Sequence, residues 1–285
     1  MVRIIFVVTT LILSFVVKAQ DLEKSLLWKI SGNGLEKPSY LFGTMHAVCE
    51  INFDDDIKKA LEETSQMYLE IDMDDPKLQA SMMKGMMMKD GVTLTSLMTE
   101  EDAALVETFL KESISVSLKM VDKFKPLMIN SMFIPKLLGC PMKSIETELV
   151  KISKEQKEEI FGLETIDDQL AAFDKIPNSI QVEELVKSAK NNLENEKEEM
   201  NKMLAIYESE DIEAMLAIMD ESESSMFADY SDILLNNRNK NWIPIIEKVS
   251  KEKPTFYGVG AAHLAGENGV IKLLRKQGYT VEAVK

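Results

Sequence analysis

Residues 255–270 have the sequence TFYGVGAAHLAGENGV. The β-branched and aromatic run from Thr255 to Val259 follows a proline and predicts a short buried strand. His263 then lies just beyond the carboxyl end of that strand, which is where open α/β sheets bind their ligands. Residues 271–276 predict a helix and residues 280–284 a last strand, so this part of the chain indicates an α/β fold.

The same arrangement of strand and histidine occurs near the N-terminus. Residues 39–46, SYLFGTMH, again place an apolar strand before the pattern Gly-x-x-His, here Gly43 to His46. His46 and His263 are the only histidines in the chain, and each has a glycine three residues before it. One such histidine alone fits an ordinary turn residue, but two copies of the pattern indicate a functional role.

Three further charged residues have two alternative interpretations each. Glu70 ends the predicted strand 67–71 and either faces solvent or is a buried carboxylate that needs a partner. Glu164 follows another apolar run; it is either a carboxylate favoured by a helix dipole or a second acid directed at the same site. Arg238 is either a surface cation or a planar fork for a carboxylate or a developing oxyanion.

Two imidazoles and one carboxylate are a common ligand set for a divalent metal ion with an open position. Water bound to such an ion becomes a nucleophile near neutral pH, which is the chemistry of hydrolysis. We therefore predict a metal site formed by His46, His263 and Glu70. The chain has no HExxH helix, no GxSxG turn and no P-loop, so the usual zinc protease, serine hydrolase and phosphate-binding sites are not indicated.

The composition fits a globular protein with an acidic surface. The chain has 285 residues, of which 45% are hydrophobic, and this is enough for one large domain. Its net charge of −15 repels nucleic acid and anionic membranes, and no basic stripe with interleaved aromatic residues offsets that charge. We expect no nucleic-acid partner.

The N-terminus has the pattern of a secretory signal peptide. Arg3 precedes an apolar run over residues 4–17, and cleavage is expected after Ala19. The alternative is an uncleaved N-terminal membrane anchor, for which the apolar run is short. The prediction is therefore a secreted or periplasmic protein with no membrane span after the leader is removed.

The remainder, residues 20–285, has no long linker and predicts a single domain. Its middle part, about residues 76–250, is mainly helical and predicts a helical insertion between the halves of a sheet. Cys49 and Cys140 are far apart in the sequence and leave two alternatives open, a single disulfide or two buried thiols.

The chain resembles the TraB/GumN family, which includes Tiki-type metalloproteases. The resemblance extends over nearly the whole mature chain in family order. It rests on residues 40–46 (YLFGTMH), 69–72 (LEID), 162–165 (GLET) with Gln169, 237–239 (NRN) and 257–266 (YGVGAAHLAG). It implies a mixed central β-sheet of two pseudo-symmetric halves with inserted helices, and a site formed by His46, Glu70, Arg238 and His263.

The resemblance also implies an activity, the hydrolysis of a peptide or protein substrate supported by manganese or cobalt, with zinc as a further option for the same ligands. In that case His46 and His263 would hold metal or activate water, and Glu70 would be a ligand or general base. Arg238 would stabilise the substrate or oxyanion, and Glu164 belongs to the matched motif without a fixed role. The alternatives are a binding protein that sequesters a peptide or other ligand, and a metal-independent hydrolase that uses histidine and glutamate.

Overall fold

The structure is a computed structural model that describes residues 22–221 and 225–285. The signal peptide predicted for residues 1–19 lies outside this described part of the chain. Among the helices of the described part, none combines the length and the apolar character needed to cross a membrane.

A six-stranded mixed sheet forms the centre of the fold, in the order β4-β3-β5-β2-β1-β6. The four strands β4, β3, β5 and β2 run parallel to one another, whereas β1 is antiparallel to both of its neighbours. This confirms the predicted mixed α/β architecture. The strands are β1 (Leu27–Gly32), β2 (Ser39–Thr44), β3 (Met67–Leu69), β4 (Ile160–Gly162), β5 (Phe256–Gly260) and β6 (Tyr279–Ala283).

The two strands at the centre of the sheet, β2 and β5, are buried along almost their whole length. Every residue of β2 is buried, and Phe256, Tyr257 and Val259 of β5 are fully buried. Continuous apolar runs of this kind are typical of parallel strands that have no solvent-facing side. Gly32 and Gly34 adopt positive φ angles of 76° and 86° where the chain turns from β1 to β2, a conformation that glycine takes without steric cost.

Helices occupy most of the remaining chain, and several begin with a side-chain cap. In the helix that starts at Ile166, Thr165 and Asp168 form a reciprocal capping box. The helices are α1 (Asp55–Glu63), α2 (Leu78–Gly85), α3 (Glu100–Ile114), α4 (Leu118–Val121), α5 (Pro126–Ser131), α6 (Ile134–Leu138), α7 (Ile145–Gln156), α8 (Ile166–Phe173), α9 (Asn178–Asn191), α10 (Glu194–Glu208), α11 (Ile212–Glu221), α12 (Ser225–Ser231), α13 (Asn237–Glu252) and α14 (Val270–Lys276).

The helical region between β3 and β5 contains one sheet strand, β4, which pairs with β3. The helices therefore form two successive groups, α2 to α7 before β4 and α8 to α13 after it. Part of the helical region has an apolar core of its own, which includes Leu110, Ile129, Phe133 and Leu185. A larger core lies against the sheet and includes Leu41, Val259 and Trp242.

A π-helical turn, Asp232–Asn236, joins α12 directly to α13. Such turns are rare and often lie next to functional residues. Arg238 follows this one in the first turn of α13, and its Nη1–H group donates back to the carbonyl oxygen of Leu234 at 2.9 Å. The π-helical turn thus helps to hold the arginine side chain against the sheet.

Candidate functional site at the carboxyl ends of the parallel strands

The predicted site residues follow the ends of the four parallel strands. Because parallel strands end at the same edge of a sheet, their following residues are brought together there. His46 lies two residues beyond β2, and Glu70 directly follows β3. Glu164 lies two residues beyond β4, and His263 three residues beyond β5.

Arg238 binds both of the predicted acidic residues. Its Nη2 atom lies 2.5 Å from Oε2 of Glu70 and 2.6 Å from Oε1 of Glu164. All three side chains are nearly buried, with 9–11% of their surface exposed. The buried alternatives therefore hold for Glu70 and Arg238, and Glu164 is directed at the same cluster.

Every N–H group of the Arg238 guanidinium is donated within the protein. Nε donates to Glu164, and the two Nη2 protons go to Glu164 and Glu70. The two Nη1 protons go to the carbonyl oxygen of Leu234 at 2.9 Å and to Nε2 of His263 at 3.1 Å. A guanidinium has five such protons. In this arrangement Arg238 acts through its charge and its bridging geometry, and the predicted oxyanion contact would require one of these bonds to break.

His263 is buried and fixed at both ring nitrogens. Its Nδ1–H group donates to Oδ1 of Asn239 at 2.6 Å, and its Nε2 accepts from Arg238. The amide nitrogen of Asn239 donates to the backbone of His263 and Asn268, which fixes the orientation of the amide. The ring also packs on Trp242, with 4.5 Å between centroids. The pattern of bonds defines the neutral tautomer with the proton on Nδ1.

The charges of the cluster follow from its burial. Burial lowers the pKa of His263 to about 3, so the ring is neutral at physiological pH. Burial alone would raise the pKa of Glu70, but its charged and hydrogen-bonded neighbours outweigh it and hold that pKa well below its ordinary value. Because His263 is neutral at physiological pH, the charges of Arg238 and His46 keep Glu70 ionised there. Burial also raises the pKa of Glu164, which shares the same guanidinium.

Glu70 is further fixed by two donors from neighbouring elements. The backbone N–H of Gly260 donates to its Oε1 at 2.8 Å, and Nε2 of Gln169 on α8 donates to its Oε2 at 3.1 Å. A Cβ atom at Gly260 would lie 3.2 Å from that same Oε1. The glycine of the second Gly-x-x-His pattern thus permits a close approach between the backbone and the carboxylate.

His46 is placed differently, because its ring is open to a cavity. The side chain is 73% exposed, and its Nδ1–H group donates to Oε1 of Glu146 at 2.7 Å. That hydrogen bond raises the pKa of His46 above its ordinary value. His46 is also near enough for its charge to lower the pKa of Glu70. The two Gly-x-x-His patterns therefore place one imidazole in a buried cluster and one at an open surface of the same site.

These groups line a single cavity of about 730 Å³. His46, Glu70, Arg238 and His263 line it at the sheet edge. The helices supply a largely apolar and methionine-rich wall, in which the lining residues include Leu127, Met128, Phe133, Met203, Met215 and Met226. Concave, mostly apolar pockets with a few convergent polar groups are the usual form of a small-molecule or peptide site.

The predicted metal ligands His46, His263 and Glu70 are not arranged as a metal site. Within residues 22–221 and 225–285 no group of three or more histidine, cysteine, aspartate or glutamate side chains is placed to hold a metal ion. The physical reason is the position of Arg238. Its N–H groups bind the Nε2 lone pair of His263 and an oxygen of Glu70, which are the atoms a metal would need. As arranged, these residues do not fit the ion.

The sequence interpretation missed two residues of the site. Glu146 accepts a hydrogen bond from His46, and Trp242 donates from Nε1 to Oε2 of Glu164 at 3.2 Å. Glu146 lies in the first turn of α7 beside Glu148, where an acidic residue is expected for its favourable interaction with the helix dipole. The sequence therefore gives no sign that Glu146 is buried while Glu148 is not. The contact between Glu146 and His46 depends on the fold.

Cys49 and Cys140 form a disulfide. Of the two alternatives for these residues, the structure therefore has the bonded one. The bridge lies beside the site, since Cys49 follows His46 by three residues and Cys140 precedes α7, which carries Glu146.

Comparisons with known proteins identify the family of the chain. A curated relative, the metalloprotease TIKI2 of Xenopus tropicalis, is 21% identical over an alignment that covers 93% of this chain and 61% of the relative. The chain thus spans about three fifths of the length of that protein. No solved structure matches the chain. The model of the TraB/PrgY/gumN family matches residues 26–283, a segment that contains all six strands of the sheet, and the chain therefore belongs to the TraB/PrgY/gumN family.

Proposed function

We propose that this protein is a hydrolase that cleaves peptide bonds in the cavity at the sheet edge. One observation carries the proposal, namely that the open ring of His46 and the buried, ionised Glu70 line the same cavity. A proton-transfer group beside a fixed negative charge is the minimum that activation of a water molecule requires. The name metalloprotease, borne by the TIKI2 relative, supports peptide hydrolysis as the reaction class.

The roles of the residues follow from their contacts. His46 has one ring nitrogen bound to Glu146, and that hydrogen bond raises its pKa to about 9, so the ring is protonated at neutral pH. The Nε2–H group is therefore the one that gives a proton to the reacting group. Glu70 accepts from Gly260 through Oε1 and would orient a water molecule with the remaining capacity of that oxygen. Arg238 keeps Glu70 ionised and in place. His263 and Glu164 fix the guanidinium on its other sides.

The cavity wall supports a peptide with apolar side chains as substrate. Methionine side chains are flexible and adapt to different apolar groups, so a wall that contains Met128, Met203 and Met215 would accept more than one side chain. The acidic net charge of −15 argues against polyanionic substrates.

The site of action we propose is outside the cytoplasm. The predicted leader at residues 1–19 supports export, and the disulfide between Cys49 and Cys140 supports it independently. Disulfides persist in oxidising compartments and are rare in cytosolic proteins. The secreted or periplasmic location and the cleavage after Ala19 can both be tested by N-terminal sequencing of protein recovered from the culture medium or periplasm.

The test of the proposed activity is cleavage of a diverse peptide library by the purified mature protein. We expect cleavage by the wild type and its loss in the variants His46→Ala and Glu70→Gln. Met83→Ala is the matched control, because Met83 is an exposed residue of α2 that does not line the cavity. Absence of cleavage by folded wild-type protein under every condition tested would overturn the proposal.

Metal supply is a separate arm of that experiment, since the relative is named a metalloprotease. The peptide library is incubated with protein from which metal ions have been removed by a chelator, and again after manganese, cobalt or zinc has been added. Cleavage that requires one of these ions would mean that Arg238 moves away from His263 and Glu70 in the active protein. Cleavage that survives chelation would favour direct proton transfer by His46.

The second candidate function is sequestration of an apolar peptide without turnover. It is favoured by the Arg238 guanidinium, whose N–H groups are all donated within the protein and so offer no free donor to a reacting carbonyl. This function would be supported if library peptides bind and are recovered uncleaved. The bulky substitution Met128→Trp in the cavity wall should then reduce the binding.

A further inference from the structure

Glu146 is a buried acid whose contacts are unusual for the start of a helix. It lies in the first turn of α7 with 8% of its surface exposed. Its Oε1 accepts from Thr44 Oγ1 and from His46 Nδ1, both at 2.7 Å, and its Oε2 accepts from Ser144 Oγ at 2.9 Å. Two of these three donors come from the end of β2 and the loop after it, about a hundred residues away in the sequence.

The segments on either side of this contact are joined by two further links. The backbones of Val48 and Lys143 exchange hydrogen bonds of 3.0 and 2.9 Å, and the disulfide joins Cys49 to Cys140. His46 lies two residues before Val48, and Glu146 lies three residues after Lys143. The backbone therefore holds the acid and the imidazole together, and the side-chain bond then sets the rotation of the ring.

We propose that Glu146 is a positioning residue that holds His46 by its Nδ1–H group, so that Nε2 is the ring nitrogen presented to substrate. The inference rests on the proposed hydrolase function for its catalytic consequence. Among the described residues, Nδ1 of His46 has Glu146 as its partner and Nε2 has none. His263 is held in the same way by Asn239, so each imidazole of the two Gly-x-x-His patterns has an oxygen acceptor on Nδ1.

A positioned imidazole needs such an acceptor because a ring without one rotates freely about its side-chain bonds. A carboxylate or amide oxygen that accepts from one ring nitrogen fixes the direction in which the other nitrogen points. Glutamine at position 146 would keep an acceptor for His46 and Thr44 and could donate its amide to Ser144. Methionine would keep most of the volume of Glu146 but would offer no oxygen.

The experiment measures the ring directly by nuclear magnetic resonance of protein labelled with ¹⁵N-histidine. Two histidines give two ring systems, and Asn239→Leu, which removes the acceptor of His263, identifies the signal of His263. We expect a protected Nδ1–H signal from His46 in the wild type, its loss in Glu146→Met and its retention in Glu146→Gln. Thr44→Val, which removes one bond to Glu146, should weaken the protection without abolishing it.

The kinetic arm uses the same variants on a peptide cleaved by the wild type. Glu146→Met should lower kcat by roughly 10–100-fold with little change in KM. Glu146→Gln should keep most of the wild-type kcat. Glu148→Ala is the matched control, because Glu148 lies in the same helical turn but contacts the exposed Lys151.

Two results would overturn the inference. One is a His46 signal and a kcat that both survive Glu146→Met. The other is an equal loss of kcat in Glu146→Met and Glu146→Gln while the glutamine variant keeps the ring signal, since charge rather than position would then matter. If the wild type cleaves no peptide, the proposed function fails, and the ring signal alone decides whether Glu146 positions His46.

Discussion

At the scale of single residues, Arg238 determines what the site can do. It neutralises part of the charge of Glu70 and Glu164, and it donates to His263, so three of the strand-end residues depend on one side chain. Buried ion pairs contribute little net stability compared with apolar residues, but removing one partner is costly because the other charge stays buried. The arrangement therefore favours retention of the whole cluster.

We expect Arg238→Gln to lower the free energy of unfolding by about 3–5 kcal/mol, because it leaves two buried carboxylates without their cation. Adding Glu164→Gln to that variant should recover part of the loss by removing one of the charges. Urea unfolding measures both effects. Lys240→Gln, an exposed change on the same helix, serves as the control and should stay within about 0.5 kcal/mol of the wild type. A loss for Arg238→Gln no larger than this control would contradict the buried cluster.

At the scale of the elements, the strand ends and their motifs could be predicted from the sequence, whereas their partners could not. Strand β5 with His263 and strand β2 with His46 follow from apolar runs that end in glycine, because both the burial and the turn are local properties. Glu146 could not be predicted, since its burial depends on the packing of α7 against the end of β2. The contacts of Arg238 with His263 and Glu70, two of the predicted metal ligands, could not be predicted for the same reason, because they join residues far apart in the sequence.

The disulfide links two of these elements, the segment after β2 and the segment before α7, across 91 residues of sequence. Closing so long a loop restricts the unfolded chain, so we expect replacement of Cys49 and Cys140 by serine to lower the free energy of unfolding by about 2–5 kcal/mol. Thermal unfolding with and without reductant measures the effect. Reductant should lower the melting temperature of the wild type and leave the serine variant unchanged. A wild type insensitive to reductant under unfolding conditions would count against this expectation.

A second link between elements joins the start of α5 to the end of α8, both of which contribute to the cavity wall. The carboxylate of Asp174 accepts from the nearly buried Lys125 and, at 2.8 Å, from Lys89. Burial alone raises the pKa of Asp174, but the bonds from Lys125 and Lys89 outweigh it and hold the pKa below its ordinary value of 3.8. The ionised carboxylate of Asp174 therefore stabilises the fold above that value, and this stabilisation is lost as the pH falls through the lowered pKa.

Asp174→Asn should accordingly lower the free energy of unfolding by about 1–3 kcal/mol at pH 7, since it weakens hydrogen bonds to charged groups beside a buried lysine. The difference from the wild type should shrink as the pH is lowered below about 4, because the wild-type carboxyl is then protonated as well. Urea unfolding at a series of pH values measures it. A difference that is constant across the acidic range would show that the charge of Asp174 is not responsible.

At the scale of the whole molecule, the cavity lies between a sheet edge and a helical region with a separate apolar core. The sheet-side core includes Leu41 and Val259, while the helical core includes Leu110 and Leu185. Separate cores allow one part of a protein to open locally while the rest stays folded. Because the helical region supplies the apolar wall, such opening would change the shape of the cavity without disturbing the strand ends.

This arrangement predicts different consequences for two substitutions of the same type. Leu110 and Leu41 are both fully buried, and either change to alanine should cost about 2–5 kcal/mol. We expect Leu110→Ala to accelerate amide hydrogen exchange mainly in α3 and α9, with β2 and β5 little changed, since its contacts lie in the helical core. Leu41→Ala should accelerate exchange throughout, because the sheet joins all parts of the chain. If Leu110→Ala accelerates exchange in the strands as much as in α3, the two cores unfold as one unit and the expectation of separate local opening is wrong.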